Sequence, residues 1–256
     1  QMNSGFTALM LSAQNGHEQV ARELLVNGAA VDVQESMGNT ALNKASENGH
    51  VQCVRTLLEA HAAVDLADNA GFTPLMSACQ NGHELCAREL LVNGAAVDAV
   101  SKAGETALMK AAKNGHEQCV RELLENGADV DNLGNHGWTP LMAACSNGHN
   151  LCACVLLESG ATVDATDEDG WTALMIAARK GRDMCAGTLL ENGAAVDVVD
   201  HENWTALMFA AQNGHNVCAR VLLEHGANVE HALDDGLNAL LYAADQGHGP
   251  CIRTII

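Results

Sequence analysis

Glycine returns every 33 residues along this chain: Gly5, Gly38, Gly71, Gly104, Gly137, Gly170 and Gly236, with Asn203 filling the one gap. Two residues further on stand Thr7, Thr40, Thr73, Thr106, Thr139, Thr172 and Thr205, with Asn238 last. A Gly-His pair keeps the same period from Gly16-His17 to Gly247-His248, and only Gly181-Arg182 departs from it. A fixed period of this size constrains the fold more than any single residue, because each copy must fold alike and pack on its neighbours. The 256 residues hold eight repeats, approximately 2–34, 35–67, 68–100, 101–133, 134–166, 167–199, 200–232 and 233–256, the last cut short at Ile256.

Residues 137–170 show what one repeat is built to do. The Thr139 hydroxyl can accept a bond from a free backbone N–H, and Pro140 fits the first helical position, so a helix starts there. It runs through LMAAC to Asn147-Gly148, a left-handed stop. A second helix begins near His149, carries Leu151, Cys152, Val155, Leu156 and Leu157 as an apolar stripe, and stops at Ser159-Gly160. The stretch ATVDATDEDG is too polar and turn-rich for helix and suits a protruding hairpin. Burying two Leu yields roughly 1.5 to 3 kcal/mol each, far less than the roughly 1 to 2 kcal/mol per residue lost on ordering the chain. Stacking into a curved, elongated all-α solenoid is therefore obligatory, and residues 1–256 are expected to form one domain.

The pattern resembles the ankyrin repeat: Gly-x-Thr-Pro-Leu-His, Ala-Ala, Gly-His, Leu-Leu, Gly-Ala, then a hairpin. Residues 71–97, GFTPLMSACQNGHELCARELLVNGAAV, follow it nearly position by position, and the resemblance spans the chain. The His of Thr-Pro-Leu-His is replaced by Met10, Asn43, Met76, Met109, Met142, Met175, Met208 and Leu241, so apolar packing is expected in place of its hydrogen bond. In the resemblance, the Gly-His histidine shapes the turn into the second helix. His61 stands where other repeats end the second helix on glycine, and a positive φ there makes that junction a weak point.

Composition excludes several function classes. Thirty-two acidic residues against thirteen Lys and Arg give a formal net charge of −19, with little attraction for nucleic acid or anionic lipid. Apolar runs fall short of the roughly 20 residues that span a bilayer, and the first residues lack a secretory profile, so a cytoplasmic protein is expected. Ten Cys are too few for a disulfide scaffold and fit a reducing setting.

Cys53, Cys86, Cys119, Cys152, Cys185, Cys218 and Cys251 are 33 apart, and six of them follow a His by three residues. That spacing puts both on one helix face, yet a metal usually needs four converging ligands and each repeat offers two. Stacked helices roughly 8 to 10 Å apart also hold equivalent Cys beyond the roughly 7 Å Cα separation of a disulfide. The column is expected to fill a core slot, which Val20 takes in the first repeat; Cys79 and Cys145 are expected in the core as well. No phosphate-cradling loop or catalytic trio stands out, so no catalytic residue, metal or cofactor is assigned. Arg22, Arg55, Arg88, Arg121, Arg220 and Arg253 form a column expected to make i,i+4 pairs with Glu18, Glu84 and Glu117 or Glu59, Glu125 and Glu224.

In a repeating frame, function belongs to the positions that vary. Every aromatic residue lies in two neighbouring columns: Phe6, Phe72, Trp138, Trp171 and Trp204 after the repeat glycine, and Phe209 and Tyr242 on the first helix. Lys44, Lys102, Lys110, Lys113 and Lys180 map to the same side with Arg179, as non-paired positive charge, and His136 lies on a tip. By resemblance these columns line a concave groove. Trp138, Trp171, Trp204, Phe72, His136, Lys102, Lys110, Lys113, Arg179, Lys180, Phe209 and Tyr242 are the candidate residues for holding a partner protein or peptide, the three indoles forming an exposed run. Packing between tip and helix is the competing reading of the Trp column. The chain is expected to be a non-enzymatic, monomeric binding scaffold without nucleic-acid or membrane partners. A regulatory or targeting module of a larger enzyme or membrane protein, a thiol or metal sensor, and an engineered repeat protein without a natural partner remain open; His61 and Cys154 are irregular for a consensus design. Neither end carries a polar capping repeat, as expected of a segment of a longer protein.

Overall fold

The computed structural model describes residues 5–256. Met2 to Ser4, the start of the first repeat, and Gln1, placed by its register before that repeat, lie outside the described residues. Each repeat folds into two antiparallel helices. In order these are α1 (Ala8–Gln14) and α2 (Glu18–Val26), α3 (Ala41–Glu47) and α4 (Val51–Glu59), α5 (Pro74–Gln80) and α6 (Glu84–Val92), and α7 (Ala107–Asn114) and α8 (Glu117–Glu125). There follow α9 (Pro140–Asn147) and α10 (Asn150–Glu158), α11 (Ala173–Lys180) and α12 (Asp183–Glu191), α13 (Ala206–Gln212) and α14 (Asn216–Glu224), and α15 (Ala239–Asp245) and α16 (Gly249–Ile255). The contacts divide the chain into two compact units, Gln1–Asn135 and His136–Ile256.

Local chemistry sets the helix ends as the repeat predicts. The hydroxyl of each column threonine accepts the backbone N–H three residues on, as in Thr139 from Met142 at 3.2 Å, and Asn238 does the same from Leu241 at 3.1 Å. Gly148, at φ 79°, closes α9 in the left-handed conformation. Within the N-terminal unit α1, α3, α5 and α7 pack in sequence, as do α2, α4, α6 and α8; α9, α11, α13, α15 and α10, α12, α14, α16 repeat this in the C-terminal unit. The expected hairpins are narrower than drawn from sequence. Among the described residues no strand forms, and pairing is confined to single bridges, Thr166 to Thr172, Val199 to Thr205 and Ala232 to Asn238.

The core is Leu, Ala, Met and Cys. The methionines that replace the family's histidine are buried, and Leu241 alone among their apolar equivalents is exposed. Of the ten cysteines, all free thiols, nine are buried. Two expectations need correction. Leu151 is 65% exposed, because the second position of α10 points away from the face that Cys152 buries. Val20 is 52% exposed where its counterpart Cys53 is buried: Cys53 is covered by the preceding repeat, and no described repeat precedes Val20.

Polar bonds lock one repeat to the next. The Nε2 of His50, His83, His215 and His248 donates to the carbonyl oxygens of Gln14, Glu47, Arg179 and Gln212, at 3.0 to 3.1 Å. Arg182, where the histidine is missing, sends its Nε to Ser146 O at 3.3 Å. The histidines at the starts of the second helices make no side-chain cap, so their role is inter-repeat rather than local. Asp32, Asp65, Asp164 and Asp197 accept the backbone N–H 31 residues later, as in Asp65 from Ala96 at 3.0 Å. Among the described residues the arginine column makes the expected i,i+4 pairs at Arg22 with Glu18 and at Arg121 with Glu117. Arg55 and Arg88 instead reach across to Glu89 and Glu122, their Nε atoms at 2.8 and 3.1 Å, because stacking brings those carboxylates closer than the ones on the same helix.

Candidate functional site

The two aromatic columns meet through a fixed register. A residue just after the repeat glycine lies beside the first-helix residue five positions later and beside the equivalent residue 38 positions later. In the C-terminal unit these places hold rings. The Trp171 and Phe209 centroids are 4.6 Å apart, Phe209 and Trp204 are 5.0 Å apart and stacked at 25°, and Trp204 and Tyr242 are 4.5 Å apart. Arg179, eight residues after Trp171, lies over its indole at 4.7 Å. Five planar groups from three first helices and two tips thus form one ladder: Arg179, Trp171, Phe209, Trp204, Tyr242.

The tips hold this ladder rigidly. Asp167 Oδ1 accepts the Trp171 N–H at 2.9 Å while Asp167 N–H donates to Trp171 O at 3.1 Å. Asp200 clamps Trp204 the same way, at 2.8 and 3.1 Å. In the fifth repeat the clamping position is Gly134, which has no carboxylate to offer. The backbone there turns through Asn135–Gly137 with His136 at φ 59°. Trp138 is half-buried and stacks on no other ring among the described residues; the place 38 positions later holds the buried Ile176.

The expected exposed run of three indoles is therefore corrected. Trp171 and Trp204 are half-buried and joined through Phe209, which is 5% exposed, so the rings are both packing and surface. Contacts with Phe209, Tyr242 and Arg179 use part of the two indoles internally, and the remainder is open to solvent. Burial pushes the Tyr242 hydroxyl up, and Asp235 and Asp245 add to this.

In the N-terminal unit the same register holds charges. Lys110 lies over the Phe72 ring at 4.6 Å and pairs with Glu105, and Lys113 reaches the other oxygen of Glu105 at 3.3 Å. Lys110 is only 8% exposed. Burial opposes the ionisation of Glu105, but the bonds and charges of Lys110 and Lys113 outweigh it and hold the carboxyl below its ordinary range. Lys44 pairs with Glu47 at 3.2 Å. The expectation of unpaired positive charge thus fails for Lys44, Lys110 and Lys113, whose nearest carboxylates lie on the same repeat. Lys102 and Lys180 are exposed, and His136, on its own tip, contacts Glu168 through Nδ1 at 3.2 Å. Phe72, Lys102, Lys110 and Lys113 belong to the N-terminal unit, and the remaining candidates to the C-terminal one.

A second surface, not singled out from sequence, lies on the second helices. Leu151, Met184, Val217 and Pro250 occupy one column and are all exposed, Met184 at 67%, where the N-terminal unit has Gln19, Gln52, Leu85 and Gln118. Period-33 alignment of that column alone would have marked it.

Histidine and cysteine do not converge. The ring bonds to the preceding repeat while the thiol enters the core, and no group of three or more His, Cys, Asp or Glu among the described residues could hold a metal ion. Burial pushes the Cys86 and Cys218 thiols up to about 12. Cys79 neighbours Cys119, and Cys145 neighbours Cys185; burial and that neighbouring thiol push Cys79 and Cys145 up, a proximity between columns that sequence reading did not foresee. No helix among the described residues is long and apolar enough to cross a membrane.

A family model described as "Ankyrin repeats (3 copies)" matches residues 9–101, 85–167, 133–200 and 185–256. The crystal structure of the human ASB11 ankyrin repeat domain is similar, with 31% sequence identity and a TM-score of 0.77, the match covering 84% of this chain and 95% of that one. Comparison with curated proteins finds no match. The repeat, the helix pairs and these likenesses together place the chain in the ankyrin repeat family.

Proposed function

We propose that this chain is a non-enzymatic scaffold that holds a partner protein or peptide along the ladder of Trp171, Phe209, Trp204 and Tyr242. Ankyrin repeats are generally protein–protein interaction modules and typically non-enzymatic. The observation that carries the finer reading is the ladder itself. Rigid rings clamped by Asp167 and Asp200 present apolar area at little conformational cost, and Trp, Tyr and Arg dominate interface energetics. The N-terminal unit holds the ion-paired Lys44, Glu105 and Lys110 at equivalent positions and is left as support.

Peptides selected from a displayed random library against the whole chain supply the probe. Trp204→Ala should weaken the selected peptides at least tenfold, and Trp204→Phe, which preserves the stack and the fold, should weaken them less. Leu151→Gln and Met184→Gln on the second-helix face should leave affinity unchanged. Equal affinity for wild type and both Trp204 variants, each verified as folded by circular dichroism, would overturn the reading.

A further inference from the structure

We infer that Arg179 is the anchor for one carboxylate of the partner, an Asp or Glu side chain within an otherwise uncharged segment lying on the ladder. This rests on the ladder being the binding face.

Two residues of one column differ in what they meet. Lys113 and Arg179 both follow the variable tip position by eight residues. Lys113 meets Glu105 there and is neutralised; Arg179 meets Trp171 and keeps its charge. Among the described residues no carboxylate pairs with Arg179, although acidic side chains outnumber basic ones 32 to 13. Three acids of the neighbouring tips are otherwise engaged: Asp167 and Asp200 clamp backbone N–H groups, and Glu168 contacts His136. Leaving an arginine without a counter-ion in so acidic a chain points to a counter-ion that arrives with the partner.

The side chain is also held in position. The backbone carbonyl of Arg179 accepts His215 Nε2 at 3.1 Å, which fixes the root of the side chain, and α11 ends on Gly181 in the left-handed conformation. The guanidinium over the indole at 4.7 Å restricts the rotamers of a side chain that is exposed to solvent. A planar fork so fixed matches a carboxylate through two parallel bonds. The exposed Lys180 is adjacent in sequence. A phosphoryl dianion fits less well. Residues 129–256 carry five basic and seventeen acidic side chains, and their field opposes a dianion about twice as strongly as a monoanion.

The peptides selected above test this. They should share one acidic position. Arg179→Gln should weaken them about tenfold or more, Arg179→Lys by less, and Glu→Gln in the peptide should cost the same as Arg179→Gln with no further loss when both are combined. Phosphoserine at that position should bind more weakly than Glu. Absence of a shared acidic position, additive losses in the double substitution, or tighter binding of the phosphopeptide would each overturn the anchor. Arg179 is exposed, so its variants keep the fold. If Arg179→Gln acts while both folded Trp204 variants bind normally, the ladder reading fails and the carboxylate anchor stands.

Discussion

The Nε2 of His116 donates a hydrogen bond to the carbonyl oxygen of Gln80, 36 residues earlier, at 3.0 Å. Its ring lies so close to Gly82, at φ 75°, that a β-carbon there would fall 2.5 Å from Nδ1. Glycine and histidine are thus two halves of one joint between repeats. His116→Ala should cost about 1 to 2 kcal/mol in urea unfolding, the worth of a part-buried bond plus an orphaned carbonyl. His116→Arg should recover part of this, as Arg182 makes the equivalent bond to Ser146. A His116→Ala variant as stable as wild type would show the joint to be dispensable.

Ser46 is fully buried and its hydroxyl has no hydrogen-bond partner among the described residues, in a column otherwise filled by Ala and Cys. Ser46→Ala removes that desolvated group, and the thermal midpoint should rise by the equivalent of about 1 kcal/mol.

His61 adopts φ 61° where its counterparts Gly94 and Gly127 adopt 84°, with open space where a β-carbon would stand. The cost is purely conformational, so His61→Gly should stabilise by about 1 kcal/mol and Gly94→Ala should destabilise by a similar amount in matched denaturant curves.

Burial opposes ionisation of Glu35, yet bonds from the Asn39 side chain, the Met37 and Asn39 backbones and Ser36 outweigh it, leaving the carboxyl below its ordinary 4.5. A depressed folded-state value adds stability above the unfolded value, and that stability is lost as pH falls through the folded one. Unfolding curves for Glu35→Gln and wild type should therefore converge as pH drops below about 4.5. A gap of constant size down to pH 2 would contradict this.

Nine buried thiols and the half-exposed Cys154 set an expectation for thiol titration. The native chain should react promptly at one cysteine, removed by Cys154→Ser, and at all ten only after unfolding. Several fast native thiols would revive the sensor reading.

The repeat, the Thr caps and the apolar columns were legible because each depends on one residue and its period. The ladder was half legible. Its members lie in two readable columns, but the stacking of Trp171 on Phe209 comes from a 38-residue register that only packing sets. Trp138 looked equivalent to Trp171 until the clamp was visible, since Gly134 in place of Asp167 changes the tip and not the indole column. The lysines misled for a similar reason: Glu105 sits in the aromatic column, and its reach to Lys110 and Lys113 is a matter of geometry. The cross-repeat ion pairs of Arg55 and Arg88 were hidden by nearer partners in sequence.

Within each unit the joints span 31, 34 or 36 residues, all measured against the same 33-residue frame. Gain or loss of one complete module keeps these columns in phase across the new seam, whereas a single-residue insertion puts histidine, aspartate and arginine out of phase together. Length is thus the cheapest property for such a molecule to vary, and the chemistry at each seam the dearest.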